Sequence, residues 1–103
     1  MTIRITVTYP RKEGAKFDHD YYHANHRQLL MERLSTYGLQ RVEMDRCLSD
    51  GAGGPPPIFG AAHLIFDTLA GFQQGMAAHG KEILGDVPRY TDVSPQIVIS
   101  EMA

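Results

Sequence analysis

The chain has 103 residues, 43% of them apolar, enough for one domain over 1–103 with a single modest core, and it holds no apolar run long enough to span a bilayer. Its formal charge is −2 and its ten basic residues form no cluster beyond Arg11-Lys12, so the electrostatic footprint of a DNA- or RNA-binding protein is missing. The one cysteine, Cys47, has no partner for an internal disulfide, and Met1-Thr2-Ile3-Arg4-Ile5 lacks the layout of a secretion signal, so a reducing, cytoplasmic setting is expected.

Thr2 to Tyr9 alternates, with Ile3, Ile5, Val7 and Tyr9 on one face, and this predicts a first strand. Pro10 and Gly14 break it. Asp18 is a good N-cap for a helix carrying Asp20 in its first turn, where the dipole favours an anion, and Gly38 ends that helix. At 100° per residue Tyr22, His26, Leu29, Leu30, Arg33 and Tyr37 share one stripe, while Tyr21, Asn25, Gln28 and Glu32 point elsewhere. Leu39 to Leu48 alternates again, with Val42, Met44 and Leu48 opposite Arg41, Glu43 and Asp45. Gly51-Ala52-Gly53-Gly54-Pro55-Pro56-Pro57 suits only a loop, mobile or partly extended, and reads as a hairpin connection.

Ile58 to Phe66 is apolar apart from His63 and suits a central strand covered on both faces. Asp67 or Thr68 caps a second helix on which Leu69, Phe72, Met76, His79 and Ile83 recur at three and four. Gly71, Gly75 and Gly80 weaken that helix and leave its end open. Gly85 to Pro95 is a turn-rich return, and Gln96 to Met102 is a last strand. This order fits an α+β fold, the ferredoxin-like βαββαβ sandwich with two helices on one face of a four-stranded antiparallel sheet. An apolar third strand also places side chains on the sheet's second face, which predicts a homodimer with sheets packed face to face.

The series Tyr9-Pro10, Gly14 with Phe17-Asp18, Tyr21-Tyr22 with His26, Ala62-His63-Leu64 with Phe66-Asp67, Phe72, Gly85-Asp86-Val87-Pro88-Arg89-Tyr90-Thr91, Pro95 and Ser100-Glu101 resembles the small EthD-type proteins, named for ethyl tert-butyl ether degradation. The resemblance implies a dimeric α/β barrel with a pocket between sheet and helices for a small apolar compound. Relatives across that superfamily look like cofactor-independent lactone isomerases, polyketide cyclases and quinone-forming monooxygenases; others bind haem. Members often follow this histidine with an apolar residue, proline and leucine, whereas His26 precedes Arg27-Gln28-Leu29. The helix should then continue unbroken, with a more polar pocket mouth.

Imidazole accepts and donates protons near neutrality, so His26 is the first candidate for general acid or base. Its plainer use is a core histidine bonded to Tyr22, Tyr37 or a carbonyl. Tyr22 is a candidate to orient His26 or hold a substrate oxygen, and packing is its commoner duty. His63, if it faces the helices, would oppose His26 across the pocket; otherwise it belongs to a dimer interface. His79 is a third candidate, and Arg89, Tyr90 and Asp92 are placed to close one end, Arg89 holding a carboxylate. His19, His23 and His26 form an i, i+4, i+7 row that invites a metal or an axial haem bond, without a catalytic His-Glu-x-x-His pattern. No glycine-rich phosphate motif exists, because Gly51 to Gly54 leads into prolines. Two readings remain: a cofactor-independent isomerase, cyclase or monooxygenase for an aromatic or lactone compound, or a non-catalytic binding dimer for a hydrophobic metabolite or haem.

Overall fold

The computed structural model describes residues 2–103. Strand β1, Ile3–Pro10, leads into a continuous helical run whose winding changes along its length. It starts as α1, His19–Tyr21, widens into a π-helical segment, Tyr22–His26, returns to α winding in α2, Arg27–Leu34, and tightens into a 3₁₀ turn, Ser35–Tyr37. Strands β2, Leu39–Arg46, and β3, Ile58–Phe66, form a hairpin. Helix α3, Leu69–Asp86, and a short 3₁₀ turn, Val87–Arg89, return the chain to β4, Gln96–Glu101. The sheet order is β2-β3-β1-β4, antiparallel throughout, so the ferredoxin-like expectation holds.

The caps follow the side-chain chemistry. Asp18 accepts from the Tyr21 amide at 3.1 Å and Thr68 accepts from the Gly71 amide at 3.0 Å, each satisfying a helix-end donor. Gly38 stops the first helix at φ 95°, a left-handed backbone that side chains disfavour. Gly71 has a packing reason to stand in α3. A Cβ there would collide with the Tyr37 carbonyl oxygen, so the glycine lets α3 approach the end of the first helix, and α3 runs 18 residues.

The π segment changes which residues are buried. The Arg27 amide donates to the Tyr22 carbonyl five residues back, and the wider turn spaces the inward positions at Tyr22, His26, Leu30 and Leu34. Leu34 therefore takes the core position expected of Arg33, which instead reaches Glu82 at 2.8 Å on the surface. The helix does continue past His26 without a break. Leu48 lies beyond β2 and is 82% exposed, against the expectation that it points inward. The loop after β2 is closed by Asp50, whose carboxylate accepts from Ala52 and Gly54 amides at 2.9 and 2.7 Å.

Ile3, Ile5 and Tyr9 of β1, Val42 of β2, and Ala62, Leu64 and Phe66 of β3 face the helices and build the core with Leu30, Leu34 and Ile83. The opposite face is mixed. There the register aligns Val98, Thr6, His63 and Glu43 in one row, with Arg4, Ile65 and Arg41 in the next. Ile65 is already buried within the single chain. No helix among the described residues is long and apolar enough to cross a membrane.

Candidate functional site

The π segment delivers His26 to the interior, where it is 4% exposed. Its Nδ1 lies 2.9 Å from Oδ2 of Asp86, the last residue of α3. A carboxylate only accepts, so Nδ1 carries the proton and, in the neutral ring, Nε2 carries the lone pair. Nε2 has no side-chain or backbone partner among the described residues and is not sealed from the cleft that His26 lines. Burial holds the His26 pKa below the usual imidazole value, with Asp86 opposing that shift. The ring is therefore neutral near pH 7, with a free basic nitrogen.

Asp86 is itself fixed. The Tyr21 hydroxyl donates to its Oδ1 at 2.7 Å and Arg89 Nε approaches that oxygen at 3.6 Å, leaving the carboxylate 11% exposed. The bond to Asp86 in turn raises the Tyr21 pKa. Tyr21, which the helical stripe sent elsewhere, thus braces the base from behind.

Three further phenols stand beside His26. The Tyr22 ring stacks near it with centroids 5.9 Å apart, the Tyr90 ring lies at 4.9 Å, and Tyr9 meets Tyr22 edge-on at 5.4 Å. Tyr9 and Tyr90 hydroxyls share a hydrogen bond, whereas the Tyr22 hydroxyl, beside Tyr9, is fully buried and has no partner of proper geometry among the described residues. Burial raises the pKa of all three, so they keep their protons and remain donors. An orphaned buried hydroxyl is uncommon and asks for an explanation.

Between the helices and the sheet runs a cleft with a cavity volume of about 50 Å³. It is narrow. Its walls are apolar apart from Tyr9, Tyr22 and His26, and Leu84 and Ile97, each about half exposed, stand at the rim. Arg27 and Gln28 are exposed and do not line it, so the mouth is not made polar by the residues that follow His26.

The other residues singled out from the sequence fall elsewhere. His63 lies on the far face of the sheet, where Nε2 meets Asp45 at 3.2 Å, so no pair of histidines opposes across the pocket. Strand alternation decides this: Leu64 and Ala62 take the helix side and His63 the other. His79 packs edge-on to Tyr37 and sits 4.0 Å from Glu82, away from the cleft. Arg89 is 72% exposed and turned to Asp86, outside the cleft where it was expected to hold a carboxylate. Tyr90 is buried behind the lining, and Asp92 accepts from the Lys16 amide at 3.1 Å. His19 and His23 have ring centroids 6.3 Å apart, and among the described residues no three of His, Cys, Asp and Glu gather as a metal-holding group. Burial and Asp45 push the Cys47 thiol up, away from the reactive thiolate.

Asp86 is the residue of this cluster that periodicity missed. One signal pointed to it: a carboxylate at the end of a helix sits where the dipole disfavours an anion, and such a placement needs a compensating partner.

The EthD domain pattern matches residues 13–94. An EthD-like protein from Ralstonia eutropha is 38% identical, with a TM-score of 0.91 over 97% of this chain and 90% of that one. An ethyl tert-butyl ether d (EthD) family protein from Bacillus halodurans is 18% identical, with a TM-score of 0.68 and full coverage of both chains. A dimeric ferredoxin-like protein of unknown function from Thermobifida fusca is 14% identical, with a TM-score of 0.56 over 99% of this chain and 92% of that one. None of the curated proteins matches this chain's sequence.

Proposed function

The chain belongs to the EthD domain family, and from that premise we propose that it is a cofactor-independent enzyme acting on a small apolar compound, with His26 as the general base. The observation that carries this reading is the Tyr21–Asp86–His26 chain ending on a free Nε2 in an apolar cleft. Nε2 takes a proton from the substrate, Asp86 holds the imidazolium that forms, and a tyrosine hydroxyl of the cleft stabilises the negative charge left on a substrate oxygen. Isomerisation and cyclisation both begin with such a step. His63 has no part in it.

The test is hydrogen–deuterium exchange. Enolisable aromatic ketones and lactones are incubated with the protein in D₂O and their mass gain followed. The wild type should exchange at least one of them, His26→Gln should slow that exchange by a factor of about a hundred or more, and His63→Gln should leave it unchanged. Exchange at the uncatalysed rate across the panel would instead leave a binding protein for a hydrophobic metabolite.

A homodimer built through the open sheet face belongs to the same reading. It is supported by Val98, exposed on the edge strand β4 of that face, and by the dimeric description of the Thermobifida fusca neighbour. Sedimentation at micromolar concentration tests it.

A further inference from the structure

We infer that the last turns of α3, residues 81–86, are a movable wall of the cleft, pivoting at Gly80, and that the swing which admits a compound also draws Asp86 off His26. This rests on the reading of the cleft as the substrate site and goes further by naming the part that moves and what its movement does to the base.

The need for movement is a matter of volume. The cleft measures about 50 Å³, room for a water or two, whereas a cavity that takes up a benzene ring runs to roughly 150 Å³. An aromatic ketone or a lactone needs the larger space, so a wall must give way.

Most of the walls are fixed. Ile5, Val7, Ala62 and Leu64 stand on β1 and β3, the two inner strands, each bonded to a neighbour on both sides. The first helix is held close to the front half of α3, where a Cβ on Gly71 would strike the Tyr37 carbonyl oxygen and one on Gly75 would come within 2.8 Å of Leu34 Cδ2. Those two glycines permit a close approach. The next two do not: a Cβ on Gly80 would meet only the Met76 side chain, 3.3 Å from its Cε, and one on Gly85 would meet nothing within 4 Å. Glycine inside a helix loosens it relative to alanine. The back half of α3 is therefore loosened with no gain in packing, and it is this half that carries Ile83 and Leu84 into the cleft wall.

Asp86 moves with them. It ends α3, its Oδ2 holds His26 Nδ1 at 2.9 Å, and its Oδ1 accepts from the Tyr21 hydroxyl at 2.7 Å. The buried Ile83 and the exposed Arg33–Glu82 pair add to the hold on the closed position, the pair weakly because solvent screens it. With the segment open, Nδ1 has lost its acceptor and the ring is free to turn. Closure restores the wall and the orientation of Nε2 together, so the base is assembled only once the cleft has shut around its contents.

The test is hydrogen exchange followed by NMR in the ligand-free protein. After correction for intrinsic rates, the backbone amides of residues 83–86 should exchange at least about tenfold faster than those of residues 75–78 in the same helix, and the His26 Nδ1 proton should exchange at the opening rate of the segment. Gly85→Ala should slow the segment amides and the Nδ1 proton together by about fivefold, the factor that helix propensity supplies. Gly80→Ala, for which the end of Met76 must shift, should do the same. The Nδ1 proton separates a moving wall from a frayed helix end, since fraying that stops short of Asp86 changes the amides alone. Segment amides as protected as the front half, a Nδ1 proton that exchanges at another rate or that Gly85→Ala leaves unaltered, or no slowing of either overturns the inference. Neither readout involves turnover, so coupled opening in a protein that exchanges no substrate deuterium would cost the catalytic reading and keep the inference, and uncoupled opening in an active protein would do the reverse.

Discussion

The two sides of the sheet each carry a histidine paired with an aspartate, and the two pairs differ in burial. On the helix side His26 and Asp86 meet at 2.9 Å with the carboxylate 11% exposed; on the open side His63 and Asp45 meet at 3.2 Å with the carboxylate 61% exposed. The residue types and spacing are nearly the same, so the difference is the medium. In a desolvated setting an aspartate both orients a ring and strengthens its basicity, whereas in water the same pair is screened and its side chains lose entropy for little return. Location within the fold, not residue identity, separates a candidate base from a half-buried histidine on the open face of the sheet.

The largest break in this comparison comes from the packing that creates the dry side. Leu64→Ala removes a core side chain under the helices that also walls the cleft, and should cost about 2–5 kcal/mol in a urea unfolding series. Val98→Ala on the open side should change unfolding by less than about 0.5 kcal/mol at one fixed protein concentration. Its effect should appear in sedimentation, as a weaker dimer. A Val98→Ala protein with unaltered self-association would remove the open face from the interface.

Next in size is the pair of aspartates. Asp86→Ala leaves the His26 Nδ1 proton without its acceptor and should cost about 1–3 kcal/mol, together with the isotope exchange assigned to His26. Asp45→Ala should leave both stability and exchange close to wild type. Equal effects from the two substitutions would mean that burial does not distinguish them.

Much of this was legible in the chain. Alternation in Thr2 to Tyr9, the apolar run Ile58 to Phe66, and caps at Asp18 and at Asp67 or Thr68 point to elements that the structure contains. The Tyr22 and His26 inward face was legible too, because two positions four apart share a face under α or π winding alike. The π segment itself was not, since no residue pattern in Tyr22 to His26 marks a wider turn, and it carried Leu34 inward in place of Arg33. The side taken by His63 required knowing the phase of β3 relative to the helices. Asp86 was out of reach of any periodic pattern because its partners Tyr21 and His26 are 65 and 60 residues away in sequence.

Tyr22→Phe is the smaller test, and its sign is unusual. Removing a buried hydroxyl that lacks a partner removes a desolvation cost while keeping the ring contacts with Tyr9, Tyr90 and His26. The unliganded protein should be unchanged or more stable, by up to about 1 kcal/mol, and a loss of more than that would mean the hydroxyl has an internal partner after all.

The finest distinction is in the pH dependence. Burial lowers the folded-state pKa of His26 below the 6.5 of an unfolded histidine, so below that pH the unfolded chain binds a proton that the folded chain resists. The stability present above about pH 6.5 is therefore lost progressively on acidification until His26 is protonated in the folded state too. His19, also lowered by burial, adds to the same slope, so the measurement is the difference between wild type and His26→Gln in urea midpoints taken from roughly pH 5 to 8. His26→Gln should flatten the curve. Asp86 opposes the lowering, so Asp86→Ala should drop the folded-state pKa further and extend the loss to lower pH. If His26→Gln leaves the slope of the curve unaltered, burial does not lower the His26 pKa and the helix side loses its claim to a dry, neutral base.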